Sequence, residues 1–329
     1  GDVYKRQVYK TCSCSNRRRR IFQRGRCTGL SKSANRGIVV FFDPNITNIL
    51  RSMFPWAGPF FIALSELGSE MFYIVIILIA YWTYEKREAI LAACVLLASV
   101  TLNYWLKLFI ANERPPQSYW YPGYEAANYS TPSGHAQNST VFFGWASLRA
   151  RRTWLTVLSI VLIVLIGISR IYLGVHYLGD VLIGWAVGLA LLFVIHLLER
   201  PLRERFENLP AETPFVLLFL FGVIATLVST LFPAPPSDNY GALGGLTMGI
   251  ALAVPLEKRL VGFETVAPQS QRWRLVLRVV IGLLLVLGMM VGLSGVLPSS
   301  DLALRTLRYA AVVFAGVFVW PLIFKRLRL

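Results

Sequence analysis

The chain has 329 residues, of which 55% are hydrophobic and only 15% charged, with a mean hydropathy of +0.56. That composition excludes a disordered chain, which is poor in aromatics and branched apolars, and a soluble domain, which could not bury so much apolar side chain. The formal net charge of +16 is too thinly spread for a nucleic-acid binder, so an all-α, polytopic integral membrane helical bundle is expected, with no nucleic-acid partner.

Taken in chain order, residues 1–38 hold 11 Lys+Arg and one acid, Asp2, which is +10 of the +16. They include the run Arg17 to Arg20 and three of the four cysteines, Cys12, Cys14 and Cys27. Neither apolar periodicity nor a signal-peptide core is present, and the segment reads as a disordered basic tail or sequencing read-through, with a polybasic lipid-binding arm as the functional alternative. Cys12 and Cys14 lack a second ligand pair at zinc spacing. Residues 44–63 are amphipathic, with Arg51 and Trp56, and either lie at the membrane interface or add a span. From residue 64 the chain is a series of apolar runs, near 64–84, 88–110, 134–149, 153–173, 177–198, 214–233, 239–256, 275–297 and 302–322. Most reach the ~20 residues that cross a hydrocarbon core. The run 134–149 is short and polar at its start, which suits a helix opening into a wet site. Cys94 falls in an apolar run as a small core residue.

The loops alternate in charge. Lys86 and Arg87, Arg149 with Arg151 and Arg152, Arg200 with Arg203 and Arg205, the segment 256–278, and the tail Lys325, Arg326, Arg328 form one basic set. The loops near 232–240 and 297–301 contain no Lys or Arg. Positive charge marks the cytoplasmic side, which puts segment 111–133 and the corner 173–177 on the non-cytoplasmic face of what is expected to be the plasma membrane. Arg305 and Arg308 are exceptions near the outward end of the last run. Glycine pairs four apart, Gly184/Gly188, Gly241/Gly245/Gly249 and Gly288/Gly292, favour close helix approach, within the chain or in a homo-oligomer.

Ionisable residues inside a membrane domain are functional candidates by default, and here they gather on the outer side. Lys107 and Arg114 are seven apart, two turns on one helix face, with Pro115 expected to stop that helix. Thr131-Pro132-Ser133-Gly134-His135 opens the next run, where a proline, a serine and a glycine leave free backbone N–H groups at a positive dipole end. Ser169-Arg170 ends one run, and His176 and Asp180, four apart, begin the next, so a carboxylate can orient an imidazole. Three cations beside a helix N-terminus suit a phosphate and its more highly charged transition state. Two histidines suit a two-step transfer, one as nucleophile and one as general acid. No acidic cluster for Mg²⁺ is evident, so no metal and no cofactor is expected. His196, beside Glu199 and Arg200, reads as interfacial, and the aromatic run 119–124 as an interface belt in preference to a lid. Glu113 has no assigned role.

These residues resemble the three motifs of the type 2 phosphatidic acid phosphatase superfamily: K-x6-R-P, P-S-G-H and S-R-x5-H-x3-D. The sequence reads Lys107-LFIANE-Arg114-Pro115, Pro132-Ser133-Gly134-His135 and Ser169-Arg170-IYLGV-His176-YLG-Asp180, matching all eleven fixed positions. The resemblance covers roughly residues 64–198. It implies a six-element phosphatase core, placed over 39–200, with an outward-facing site; the apolar runs after 214 lie outside the resemblance and make 201–329 an extension of about four transmembrane helices with no assigned role. The resemblance also implies that His176 is the nucleophile, Asp180 its orienting partner and His135 the general acid, with Lys107, Arg114, Ser133, Gly134 and Arg170 holding phosphate. The implied activity is hydrolysis of a lipid phosphate or diphosphate. A lipid phosphotransferase sharing the first half-reaction, and a non-catalytic headgroup transporter or scaffold, stay open as alternatives.

Overall fold

The computed structural model describes residues 40–231, 240–265, 272–297 and 301–329; the basic segment 1–38 with Cys12, Cys14 and Cys27 lies outside the described residues, as do 232–239, 266–271 and 298–300. The described residues are helical, without a strand. In order they form α1 (Asn45–Met53), α2 (Gly58–Glu66), α3 (Glu70–Thr83), α4 (Lys86–Ile110), α5 (Gly134–Ala150), α6 (Thr153–Tyr172), α7 (Leu178–Glu207), α8 (Thr213–Ser229), α9 (Tyr240–Leu256) and α10 (Arg272–Val296). A last run comprises α11 (Leu302–Phe314), a π-helical turn (Ala315–Val319) and α12 (Trp320–Arg326).

Five of these, α4, α6, α7, α10 and the run 302–326, are long and apolar enough to cross a membrane. The protein is an integral membrane helical bundle, with α2–α7 in the core and α8–α12 in the extension. The first expected span is broken. Gly68 and Ser69 interrupt it, Ser69 caps α3 by accepting from the Phe72 N–H at 3.2 Å, and α2 meets α3 at a 49° bend. The amphipathic segment 44–63 becomes α1 and the first half of α2. The nine-residue α1 is too short to span, and docks by Thr47 Oγ1 donating to Ile171 O and Arg51 Nε to Tyr172 O, each at 2.9 Å.

The bundle is organised around α5. Its polar residues Gln137, Asn138, Ser139 and Thr140 are buried and face hydrogen-bond partners, not lipid. Ser99 donates to Asn138 at 2.7 Å, Asn103 to Gln137 at 2.9 Å, and Gln137 to Ser99 O at 2.8 Å. Such pairing is what makes a buried polar stripe tolerable. On the other side α7 approaches through Gly184 and Gly188, where an added Cβ would sit 2.7 Å from Ser133 O and 2.8 Å from Thr140 Cβ. Gly245 and Gly249 on α9 are likewise filled from within the chain, by Thr306 O and Ala310 O of α11. Two of the three glycine faces considered for oligomers are therefore internal packing faces. Gly288 and Gly292 have open space around them.

The extension is joined to the core, and Val40–Leu329 form one compact unit. α7 runs past Pro201 to Glu207, so the boundary expected at 200–201 lies inside a helix. The join is clearest at the last run. Pro321 has no N–H for the carbonyls one turn earlier. The side chains of α3 serve instead, Trp82 Nε1 donating to Gly316 O at 2.9 Å and Tyr81 OH to Val317 O at 3.3 Å. Nearby, Lys86 pairs with the buried Glu257 at 3.1 Å. Arg149 pairs with Glu88 and Glu199 at 3.1 and 2.5 Å, so the basic loops gather at one end of the bundle. His196 lies on α7 outside the cavity described below.

Candidate active site

At the opposite end is a cavity of about 570 Å³ whose wall includes Lys107, Arg114, Gly134, His135, Arg170 and His176. Four chain segments bring them together. α4 supplies Lys107 in its last turn and ends where Ala111 adopts a left-handed φ of +50°, before Pro115 is reached. Arg114 is consequently in the loop after the helix and not on one helical face with Lys107, a correction to the periodicity argument. The loop turns back because the Ser130 N–H donates to Asn112 O at 2.8 Å. Lys107 Nζ donates to Tyr129 O and Ser130 O, which holds it against the returning strand of loop.

The second segment is the start of α5. Ser133 is the N-cap, its Oγ accepting from the Ala136 N–H at 3.5 Å, and Pro132 precedes the helix. Ser133 is fully buried behind the cavity wall, whereas Gly134 and His135 line it. Gly68, at the break between α2 and α3, makes room for His135, since a Cβ there would lie 3.1 Å from the imidazole Cδ2.

The third and fourth segments are the end of α6 and the corner into α7. Arg170 Nη1 donates to Ser65 Oγ at 2.5 Å and to Tyr124 OH at 2.6 Å, while its buried Nε has no hydrogen-bond partner among the described residues. The corner turns at Gly174, whose φ is +74° and whose hypothetical Cβ would stand 1.9 Å from Tyr119 O, so only glycine fits. His176 thus precedes α7 instead of riding on it, and Asp180 is in the helix's first turn.

Asp180 is fully buried and behind the cavity wall. It accepts from the Tyr177 N–H at 2.8 Å and from the Ser130 and Thr131 hydroxyls. It also lies 3.3 Å from His176 Nδ1. On the ring's other side, Arg114 Nη1 donates to Nε2 at 3.1 Å and to Val175 O at 2.8 Å. A guanidinium can only donate, so Nε2 is the acceptor and the proton sits on Nδ1, facing Asp180. The lone pair of Nε2 therefore points to the cations. Burial, then the charges of Arg114, Lys107 and Arg170, hold the His176 imidazolium well below its usual pKa, so the ring is neutral at pH 7. Burial and the neighbouring Arg170 push Arg114 down to about 10, which leaves it cationic.

Several residues here carry no motif signal. Ser130 and Thr131 orient Asp180, and Tyr124 and Ser65 orient Arg170. The aromatic run is in part a component of the site: Tyr124 lines the cavity, and Trp120 and Tyr121 pack with Phe61, Tyr172 and Leu173. Two carboxylates, Glu70 and Glu125, also face the cavity. Asn103 is the cavity's link to the polar stripe of α5, packing against Gly134.

A family model described as the PAP2 superfamily matches residues 87–204, and one described as PAP2 superfamily phosphatase, transmembrane extension, matches residues 240–329. Phosphatidylglycerophosphatase B of Bacillus subtilis (strain 168) is 30% identical over 154 residues, covering 43% of this chain and 74% of that protein. Undecaprenyl-diphosphatase of Sulfolobus acidocaldarius is 31% identical over 131 residues, which is 38% of this chain and 62% of the relative's length. A crystal structure of a transmembrane PAP2 type phosphatidylglycerolphosphate phosphatase from Bacillus subtilis shares 26% identity, covering 53% of this chain and 89% of that one with a TM-score of 0.41. With both family segments present and all three motifs converging on one cavity, the chain belongs to the PAP2 superfamily, as a phosphatase that carries the transmembrane extension.

Proposed function

We propose that the protein hydrolyses a lipid phosphate or diphosphate by way of a phosphohistidine on His176, without a metal ion, at the non-cytoplasmic face of the plasma membrane. The observation that carries the mechanism is the hydrogen-bond arrangement of His176, with Nδ1 toward Asp180 and Nε2 toward Arg114. The names of the relatives support a lipid substrate.

A phosphate oxygen arriving between Lys107, Arg114 and Arg170 takes over as acceptor of the Arg114 Nη1–H, which frees the Nε2 lone pair. Nε2 then attacks phosphorus, the bond from phosphorus to the leaving oxygen breaks, and His135 gives that oxygen its proton. Asp180 stabilises the positive charge that develops on the ring. In the second step His135 takes a proton from water, the water oxygen attacks phosphorus, and the P–N bond breaks to return His176. Three cations and the α5 N-terminus supply the charge stabilisation that a metal ion gives in other phosphoryl-transfer sites. The basic loops at the far end of the bundle support an outward-facing site.

The test uses purified protein, labelled lipid phosphates and a metal chelator. Phosphate release should persist with chelator, and rapid acid-free quenching should trap a covalent adduct that acid destroys. His176→Ala should abolish both. Full release by His176→Ala would sink the assignment, and transfer of label to a lipid alcohol instead of water would favour the phosphotransferase alternative.

A further inference from the structure

The wall of the cavity is not confined to the core. Leu243 and Leu246 on α9, Met290 on α10 and Tyr309 on α11 line it together with the cations. A second cavity, of about 110 Å³, lies between α3, α4 and the extension, and its exposed wall is wholly apolar. Ile74, Leu246, Met290 and Tyr309 belong to both walls, so the apolar slot adjoins the phosphate site on one side. Along α4 the slot follows Leu97, Ala93 and Ala89, away from Lys107 at the phosphate end. At ~1.5 Å per residue, Ala89 lies roughly 27 Å from Lys107 along the helix. A single leaflet of a ~30 Å hydrocarbon core is only about half as deep.

We infer that the C-terminal extension builds the receptacle for the substrate's hydrocarbon tail, and that the occupant is one long chain threaded between α4 and α9–α11. This rests on the lipid-phosphatase reading above. The small volume of the slot suits one chain and not two, and the two cavities taken together follow α4 for longer than a leaflet is deep. Because lipid tails are as apolar as leucine, moving the tail from bilayer to slot gains little by hydrophobic transfer. The gain is in packing and in fixing the phosphate against Nε2, so it appears in kcat/KM. Leu246, Met290 and Tyr309 become specificity-determining residues of the extension.

The experiment compares butyl, decyl and hexadecyl phosphate and dipalmitoyl phosphatidic acid with purified full-length protein in detergent micelles. For the wild type, kcat/KM should rise by about tenfold or more from butyl to hexadecyl phosphate, with the diacyl lipid below hexadecyl phosphate. Ala93→Phe, which plugs the slot, should bring the hexadecyl-to-butyl ratio toward one. Ala98→Phe, with the same bulk on an exposed position of α4, should leave the ratio as in the wild type. Leu246→Ala widens the slot without overpacking it, and should raise turnover of the diacyl lipid relative to hexadecyl phosphate. If Ala93→Phe loses butyl phosphate turnover as well, the Leu246→Ala result decides. Unchanged ratios in both slot variants, or a wild-type preference for the diacyl lipid, would overturn the receptacle while leaving the phosphatase reading intact. Failure of the wild type to hydrolyse any of the four would instead overturn the phosphatase reading.

Discussion

His176 is neutral because it is buried among cations, and that has a measurable sign. Its pKa is depressed from 6.5, so the ring stays unprotonated as pH falls through that value. In the kcat/KM profile, which reports the free enzyme, loss of the nucleophile by protonation should therefore appear only below pH 6.5. An acid limb centred at or above 6.5 for His176 would contradict the arrangement. The hydroxyls on Asp180 give a second prediction. Thr131→Val should lower kcat by about tenfold with KM little changed, because it misplaces the carboxylate without touching the phosphate cations. Thr131→Ser should restore most of the rate. A KM increase at constant kcat would mean that Thr131 serves binding. Lys107, Arg114, His135, Arg170, His176 and Asp180 are readable from spacing because each bears a charge or an imidazole in an apolar chain. Ser130, Thr131, Ser65 and Tyr124 are not, since a hydroxyl in a polar loop becomes an orienting group only when a distant segment folds against it; Ser65 and Tyr124 are 59 positions apart.

Among the elements, hydropathy located every apolar run, while the ends and breaks followed local backbone chemistry. The sequence Leu67-Gly68-Ser69-Glu70 holds a helix stop and an N-cap, but its apolar surroundings read as one continuous span. The end of α4 was placed at Pro115, whereas the left-handed Ala111 ends it earlier, and alanine carries no signal for that conformation. The π-helical turn at Ala315–Val319 follows from Pro321 together with two donors 234 and 236 positions away, information no local window contains. Removing the indole donor should cost about 1 kcal/mol, since hydrogen bonds within a membrane are modest. Trp82→Phe should accordingly lower the thermal-inactivation temperature by a few degrees with KM for a short alkyl phosphate unchanged. A wild-type inactivation temperature would show that Gly316 O finds another donor.

The whole molecule has two chemically different ends. One collects the ion pairs of Lys86, Arg149 and their glutamates, and the other holds the cavity. In a cysteine-free background, Ser118→Cys on the exposed loop at the cavity end should react with a membrane-impermeant thiol reagent in intact cells. Arg203→Cys, exposed at the basic end, should react only after permeabilisation. The reverse pattern would invert the proposed orientation.

The bonds from Trp82 and Tyr81 to Gly316 and Val317 also bear on biosynthesis. α3 leaves the ribosome long before the last run exists, and until Gly316 and Val317 arrive its indole and phenol lack the acceptors they use in the finished protein. α3 is thus held in a provisional state until the last run has been made. A stop codon introduced before α11, although it leaves every motif residue in place, would remove the partners of a helix made much earlier. Such a truncation should be cleared by membrane quality control as an unfinished protein, and not persist as a shortened enzyme.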